Sequence, residues 1–191
     1  MKAILFLALP ALLLTCSASA QHEEHHQPEK AAQNPMSQEL APLKGDPFSA
    51  RFLKMMIAHH QSGIEMGDLV GERSESPGLK KFAGMSNRKQ KQDIDKMTGW
   101  LKEWHGEAPD KDVVPKSSQE KMSNQIEALQ KLKGEEFDRD FIRNMTEHHR
   151  GGIEMFALVE ERTDRDPLEK FSKEGIEHQK KEIDDLEALK N

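Results

Sequence analysis

Two adjacent imidazoles bracketed by thioethers occur twice in this chain. His59-His60 lies between Met56 and Met66, and His148-His149 lies between Met145 and Met155. Imidazole suits copper, zinc, iron and nickel, whereas thioether selects soft Cu(I) or Ag(I). The single cysteine, Cys16, sits in the amino-terminal leader. Thiolate zinc sites and thiol catalysis are therefore excluded once the leader is removed, and His plus Met favours copper. Methionine at helical spacing also fills irregular gaps in cores, so plain packing competes as the reading of each Met alone. Recurrence of the whole constellation favours a metal.

The duplication extends well beyond the motif. At a constant offset of 89, residues 48–97 and 137–186 share 20 identities in 50 positions. Phe48 meets Phe137, Phe52 meets Phe141, Gly63 meets Gly152, Phe82 meets Phe171 and Gln90 meets Gln179. Self-similarity at a fixed period marks a duplicated structural unit.

Each unit reads as two long helices. Asp46-Pro47 fits a helix start, with Asp as cap and Pro in the first turn, and apolar residues recur at helical spacing to Ser74. Ser76-Pro77 opens a second helix that ends near His105-Gly106. The second unit repeats this over about residues 135–163 and 166–190, restarting at Asp166-Pro167. Residues 106–115 break helices, and Ser117 to Leu132 then form a shorter amphipathic helix. Tight turns make each helix pair antiparallel, and one hairpin cannot bury its own stripe. The expected fold is all-α: an antiparallel, ferritin-like four-helix bundle over 46–191. It comprises a first hairpin at 46–105, a linker with a short helix at 106–134, and a second hairpin at 135–191.

On such helices His59 and His60 flank the line through Phe52, Met56 and Gly63. Gly63 and Gly152 stand mid-stripe, where glycine costs about 1 kcal/mol against alanine, which suits close backbones or something that needs room. Gln90 and Gln179 lie centrally in the partner stripes, and His178 falls level with His148. A polar layer inside an apolar bundle must be either a closed hydrogen-bond network or a ligand site. Glu65 and Glu154 follow the His pairs with no nucleophile beside them, and fit the bundle surface or the orientation of a histidine. The Glu-x-x-His of di-iron bundles occurs only at Glu23 to His26, in the tail. Haem and zinc-protease motifs are absent.

The leader combines Lys2, an apolar run too short to span a membrane and the small-residue stretch ending at Ala20. It reads as a signal peptide, residues 1–20, giving a periplasmic or secreted protein; a lipoprotein anchored through Cys16 is the competing reading. Loss of Lys2 with the leader takes the formal charge from −6 to −7. That balance, without a basic cluster, argues against a nucleic-acid partner, and no membrane insertion is expected after cleavage. Residues 21–45 carry His22, His25 and His26 with little apolar content, and read as a disordered tail able to recruit divalent copper or zinc loosely.

The pattern Phe-x-x-x-Met-x-x-His-His-x-x-Gly-Ile-x-Met, followed by Gln-x-x-x-Ile, resembles the bacterial DUF305 family. It runs from Phe52 to Met66 with Gln90 to Ile94, and again from Phe141 to Met155 with Gln179 to Ile183. The resemblance implies a ferritin-like bundle, usually exported, with copper binding and copper tolerance attributed to members. Carried over by position, the metal candidates are Met56, His59, His60, Met66, Met145, His148, His149 and Met155. The residue reading adds His178. Lys89 stands where the second unit has His178, and Asn144 stands where the first has Met55, so the two sites need not be equivalent. The expectation is a non-enzymatic buffer or carrier of Cu(I), with Ag(I) as surrogate and copper-handling periplasmic proteins as partners. The rival is a structural or interaction bundle whose His-Gln layer is only hydrogen-bonded; a metal-dependent oxidase is a third reading.

Overall fold

The structure is a computed structural model that describes residues 34–190. The leader, its cleavage or lipidation, and the tail histidines lie outside those residues. The described residues form seven α-helices and one 3-10 turn, with no strand among them. Four helices are long: α2 (Gly45–Asp68), α4 (Pro77–His105), α6 (Gly134–Ala157) and α7 (Asp166–Ala188). Three are short: α1 (Pro35–Leu40), α3 (Val70–Arg73), which continues α2, and α5 (Lys116–Leu129). The all-α four-helix bundle expected from the sequence is what forms.

Helices α2 and α4 pair as one hairpin and α6 and α7 as the other, while α2 packs on α6 and α4 on α7. The α5 helix spans from one hairpin to the other, touching α2 and α6.

Local chemistry explains most of the boundaries. The Ser76 side chain accepts the amide of Leu79, with Pro77 in the first turn. At the far end Gly106 takes a left-handed φ of 67°, while its amide bonds the Lys102 carbonyl and that of Glu107 bonds Leu101. That is the helix stop glycine provides most cheaply. The repeat also reaches further upstream than the identities suggest. Gly45 and Gly134, 89 apart, open α2 and α6 with φ of 60° and 58°, values an L side chain adopts only with strain.

Three expectations need correcting. Asp46 does not cap α2, which starts two residues earlier than expected, at Gly45 after Lys44; its carboxylate instead pairs with Arg165 at 2.6 Å. The α6 helix stops at Ala157, short of residue 163, and turns continue to Arg162. Part of the supposed tail is folded. Asn34 caps α1 by accepting the Met36 amide, and Met36, Ser37 and Leu40 are buried. An i, i+4 apolar pair was enough to dock one and a half turns onto the bundle.

The apolar core is divided. One cluster holds Phe48, Phe52 and Met56 with Met155, Phe156 and Phe171; Trp100 and Trp104, stacked at 4.9 Å, pack against it. The other holds Met66, Phe82, Phe137, Phe141, Met145 and Leu186. Because the hairpins run antiparallel, Phe171 of the second unit joins Phe48 and Phe52 of the first, and Phe82 of the first joins Phe137 and Phe141.

Candidate metal centre

The polar layer is built from all four long helices. Helix α2 supplies His59 and His60, α6 supplies His148 and His149, α4 supplies Gln90 and Asp93, and α7 supplies Gln179 and Glu182; all eight are buried. Helix periodicity makes each His pair a fork, one ring turned toward the other hairpin and one toward its own partner helix. The inner rings, His59 and His148, stack face to face with centroids 3.7 Å apart and planes 12° from parallel. The outer rings reach the apolar clusters. His60 meets the edge of Phe156 at 6.4 Å, and His149 lies 6.5 Å from Phe82.

Each outer imidazole faces a carboxylate. His149 Nε2 lies 3.0 Å from Glu182 Oε2, and His178 Nε2 lies 3.5 Å from Glu182 Oε1. In the first unit His60 Nε2 is 3.6 Å from Asp93 Oδ2, while Lys89 Nζ donates to both Asp93 oxygens at 2.5 and 2.6 Å. Burial would raise both carboxyl pKa values, but the neighbours win. His149 and His178 hold Glu182 well below the usual carboxylate range, and His60 and Lys89 hold Asp93 down. Burial pushes His59 and His148 in the opposite direction for a base, well below the ordinary imidazole pKa; the neighbouring histidines add to this. The inner pair is therefore neutral at physiological pH, the form in which imidazole binds metals.

The layer is not a closed hydrogen-bond network. His59 Nδ1, His60 Nδ1, His148 Nε2 and both ring nitrogens of His149 are buried without a hydrogen-bond partner. His149 Nε2 is within ion-pair distance of Glu182 but not aligned for a hydrogen bond. Buried polar atoms are normally paired, so this many open nitrogens sets the layer apart from a closed hydrogen-bond network. Among the described residues, no three His, Cys, Asp or Glu side chains already converge as a metal cage.

The candidates divide accordingly. His59 and His148 come together as a stacked pair, with His60 and His149 flanking them. His178 is half-exposed and meets the layer through Glu182, beside His149 rather than His148. Met56 and Met155 are enclosed in the first apolar cluster, and Met66 and Met145 in the second. The repeat methionines thus bracket the layer from opposite sides. Glu65 is exposed, and Glu154 accepts the Asn34 amide at 3.3 Å; neither is the carboxylate that faces a histidine. Asp93 and Glu182 were missed. They occupy equivalent positions three residues after Gln90 and Gln179, so a recurring acid on a buried stripe was their available signal.

The glycines prove to be the room the layer needs. A Cβ on Gly63 would collide with Gln90 Oε1 and stand 2.7 Å from His148 Nε2, and one on Gly152 would stand 2.5 Å from Gln179 Oε1. The Met55/Asn144 difference also has a cause: Asn144 Oδ1 accepts from Gln125 of α5 at 3.2 Å, whereas Met55 is sealed in the first cluster.

The chain resembles known structures along most of its length. It is 28% identical to CopM in a Cu(I)-bound form, covering 74% of this chain and 94% of that one with a TM-score of 0.63. CopM in an Ag-bound form gives the same identity and TM-score. A DUF305 protein from Streptomyces coelicolor is 25% identical over 74% of this chain and 90% of that one, with a TM-score of 0.66. Among curated protein sequences, none matches. The family model described as "Domain of unknown function (DUF305)" matches residues 14–68 and 49–190, two overlapping matches that fit a motif written twice. The chain belongs to the DUF305 family.

Proposed function

We propose that this protein is an exported copper carrier or buffer that takes Cu(I) in preference and contributes to copper tolerance. The observation that carries this reading is the set of four buried imidazoles, each with at least one ring nitrogen that has no hydrogen-bond partner in the protein. A hydrogen-bonded structural layer would have closed them. Similarity to CopM, whose structures include Cu(I)-, Cu(II)- and Ag-bound forms, supports copper over other imidazole-binding metals. His59, His60, His148 and His149 would hold the ion. Their enclosure suits retention of an ion rather than turnover of a substrate, so we read the protein as a non-enzyme. No helix among the described residues is long and apolar enough to cross a membrane. The signal-peptide reading of the leader supports work in the periplasm or outside the cell, where copper-handling proteins would be the exchange partners.

The test uses the mature chain with His22, His25 and His26 replaced by Gln, so that only the bundle can respond. A ligand bound to the native state alone stabilises it by RT ln(1 + [L]/Kd), about 4 kcal/mol at a thousandfold excess over Kd. Ag(I) or Cu(I) should raise the melting temperature of this chain, and further His148→Gln and His149→Gln exchanges should abolish most of the gain. A melting curve unmoved by both ions would refute the reading.

A further inference from the structure

A cavity of about 310 Å³ opens over the stacked histidines, on the face where α1 and α5 cross the bundle. Its walls include His59 and His148 from the layer, Met36 from α1 and Met122 from α5. Neither methionine belongs to the repeat. His59 Nδ1 and His148 Nε2 are buried and unpartnered, in residues only 3% and 7% exposed respectively. The cavity therefore gathers two imidazoles and two thioethers, the donor set that selects a soft monovalent cation over a hard or borderline one.

Both roofing helices are held in place by specific contacts. The Asn34 side chain donates to the Gly151 carbonyl at 3.2 Å while also capping α1, so Met36 is fastened to α6 next to His59. A Cβ on Gly151 would lie 3.2 Å from the Asn34 amide nitrogen and 3.7 Å from His59 Nε2, which shows how close that approach is. Helix α5 is tied to α6 by Gln125 to Asn144 at 3.2 Å and by Lys121 to Glu147 at 2.7 Å, on either side of Met122 in sequence. Met36 is also a member of the first apolar cluster, and Met122 packs against it; what sets them apart from the repeat methionines is that both line the cavity.

We infer that the thioether ligands of a soft-metal site at His59 and His148 are Met36 and Met122, supplied by the two helices outside the repeat. This rests on the copper reading above and deepens it. The duplicated hairpins provide the imidazoles, and the non-duplicated segments close the site and set its preference for Cu(I) or Ag(I). The site is single because it lies on one face of a pseudo-symmetric bundle.

Two measurements test the assignment on the mature chain lacking tail histidines. In competition titrations with a Cu(I) chelator, Met36→Leu with Met122→Leu should weaken binding by about tenfold or more. Met66→Leu with Met145→Leu, an equally conservative exchange in volume, should leave it unchanged. In the unmutated bundle, with methionine methyls labelled with carbon-13, stoichiometric Ag(I) should shift the Met36 and Met122 signals, a readout independent of whether any variant folds. Binding that survives the Met36/Met122 exchange, or shifts confined to Met56, Met66, Met145 and Met155, would overturn the inference and leave the copper reading standing. A parent chain that binds neither ion overturns both.

Discussion

The two hairpins carry the same layer but terminate it differently. In the first, the carboxylate is Asp93, and Lys89 takes both of its oxygens, leaving His60 at 3.6 Å. In the second, the carboxylate is Glu182, one methylene longer, and it reaches His149 at 3.0 Å with only His178 beside it. A lysine ammonium caps one end and a half-exposed imidazole caps the other. Duplication has preserved the inner histidines and their glutamines while the outer ends have diverged. What the inner pair does is thus required of both halves, and what the outer ends do is not.

The largest effect expected concerns the inner pair. As pH falls below about 6.5, histidines in the unfolded chain take up protons that buried His59 and His148 resist. The folded state's advantage is complete above the unfolded pKa and declines below it, by about 1.4 kcal/mol per histidine at one unit below. Denaturant midpoints measured from pH 7.5 to 5.5 should fall, and His59→Gln and His148→Gln should each remove about half of the slope. Unequal shares would show that the halves differ at their centre as well as at their ends.

A smaller effect separates the glycines. Gly63→Ala forces its Cβ against both Gln90 and the stacked His148 ring, whereas the three nearest atoms to a Gly152 Cβ all belong to the Gln179 amide. Overpacking of a rigid neighbour costs about 1–3 kcal/mol, set against about 1 kcal/mol gained when alanine replaces helical glycine. Gly63→Ala should therefore destabilise in thermal melts, and Gly152→Ala should be close to neutral. Equal losses would mean that the Gln179 end is as tightly held as the ring.

The smallest effect is the exchange of the caps themselves. Lys89→His with His178→Lys moves the ammonium from one carboxylate to the other. Partly exposed pairs of this kind contribute about 0–1 kcal/mol, so the melting temperature should barely move. A large loss would show that the divergence of the outer ends is structural after all.

Much of this architecture could be read from residue order. The offset of 89, the Ser76-Pro77 start, the Gly106 stop and the mid-stripe Gly63 and Gly152 each imposed a local geometry that the fold then used. The buried layer was readable because His and Gln recurred at apolar positions. What escaped was tertiary. Asp93 and Glu182 look like ordinary solvated acids until the opposite helix turns an imidazole toward them. Residues 35–40 look like tail because six residues cannot sustain a helix alone, and only docking makes Met36 and Leu40 a buried stripe. The repeat methionines stood out by their spacing, but spacing alone does not show what encloses a sulfur, and Met36 and Met122, outside the repeat, carried no such signal.

The stacked pair Trp100 and Trp104 has an optical consequence. Both indoles lie near the end of α4, against the first apolar cluster, with the Arg165 guanidinium 4.7 Å from the Trp104 ring. The chain has no other tryptophan and no tyrosine. Its intrinsic fluorescence is therefore a one-ended reporter, sensitive to whatever loosens the cluster around Phe48 and Phe171 and blind to the cluster around Phe82 and Phe137. Far-ultraviolet circular dichroism weighs both ends alike. Coincident transitions by the two methods would mean that the polar layer couples the clusters into one cooperative unit, and a separation between them would place a frontier of cooperativity at the histidines.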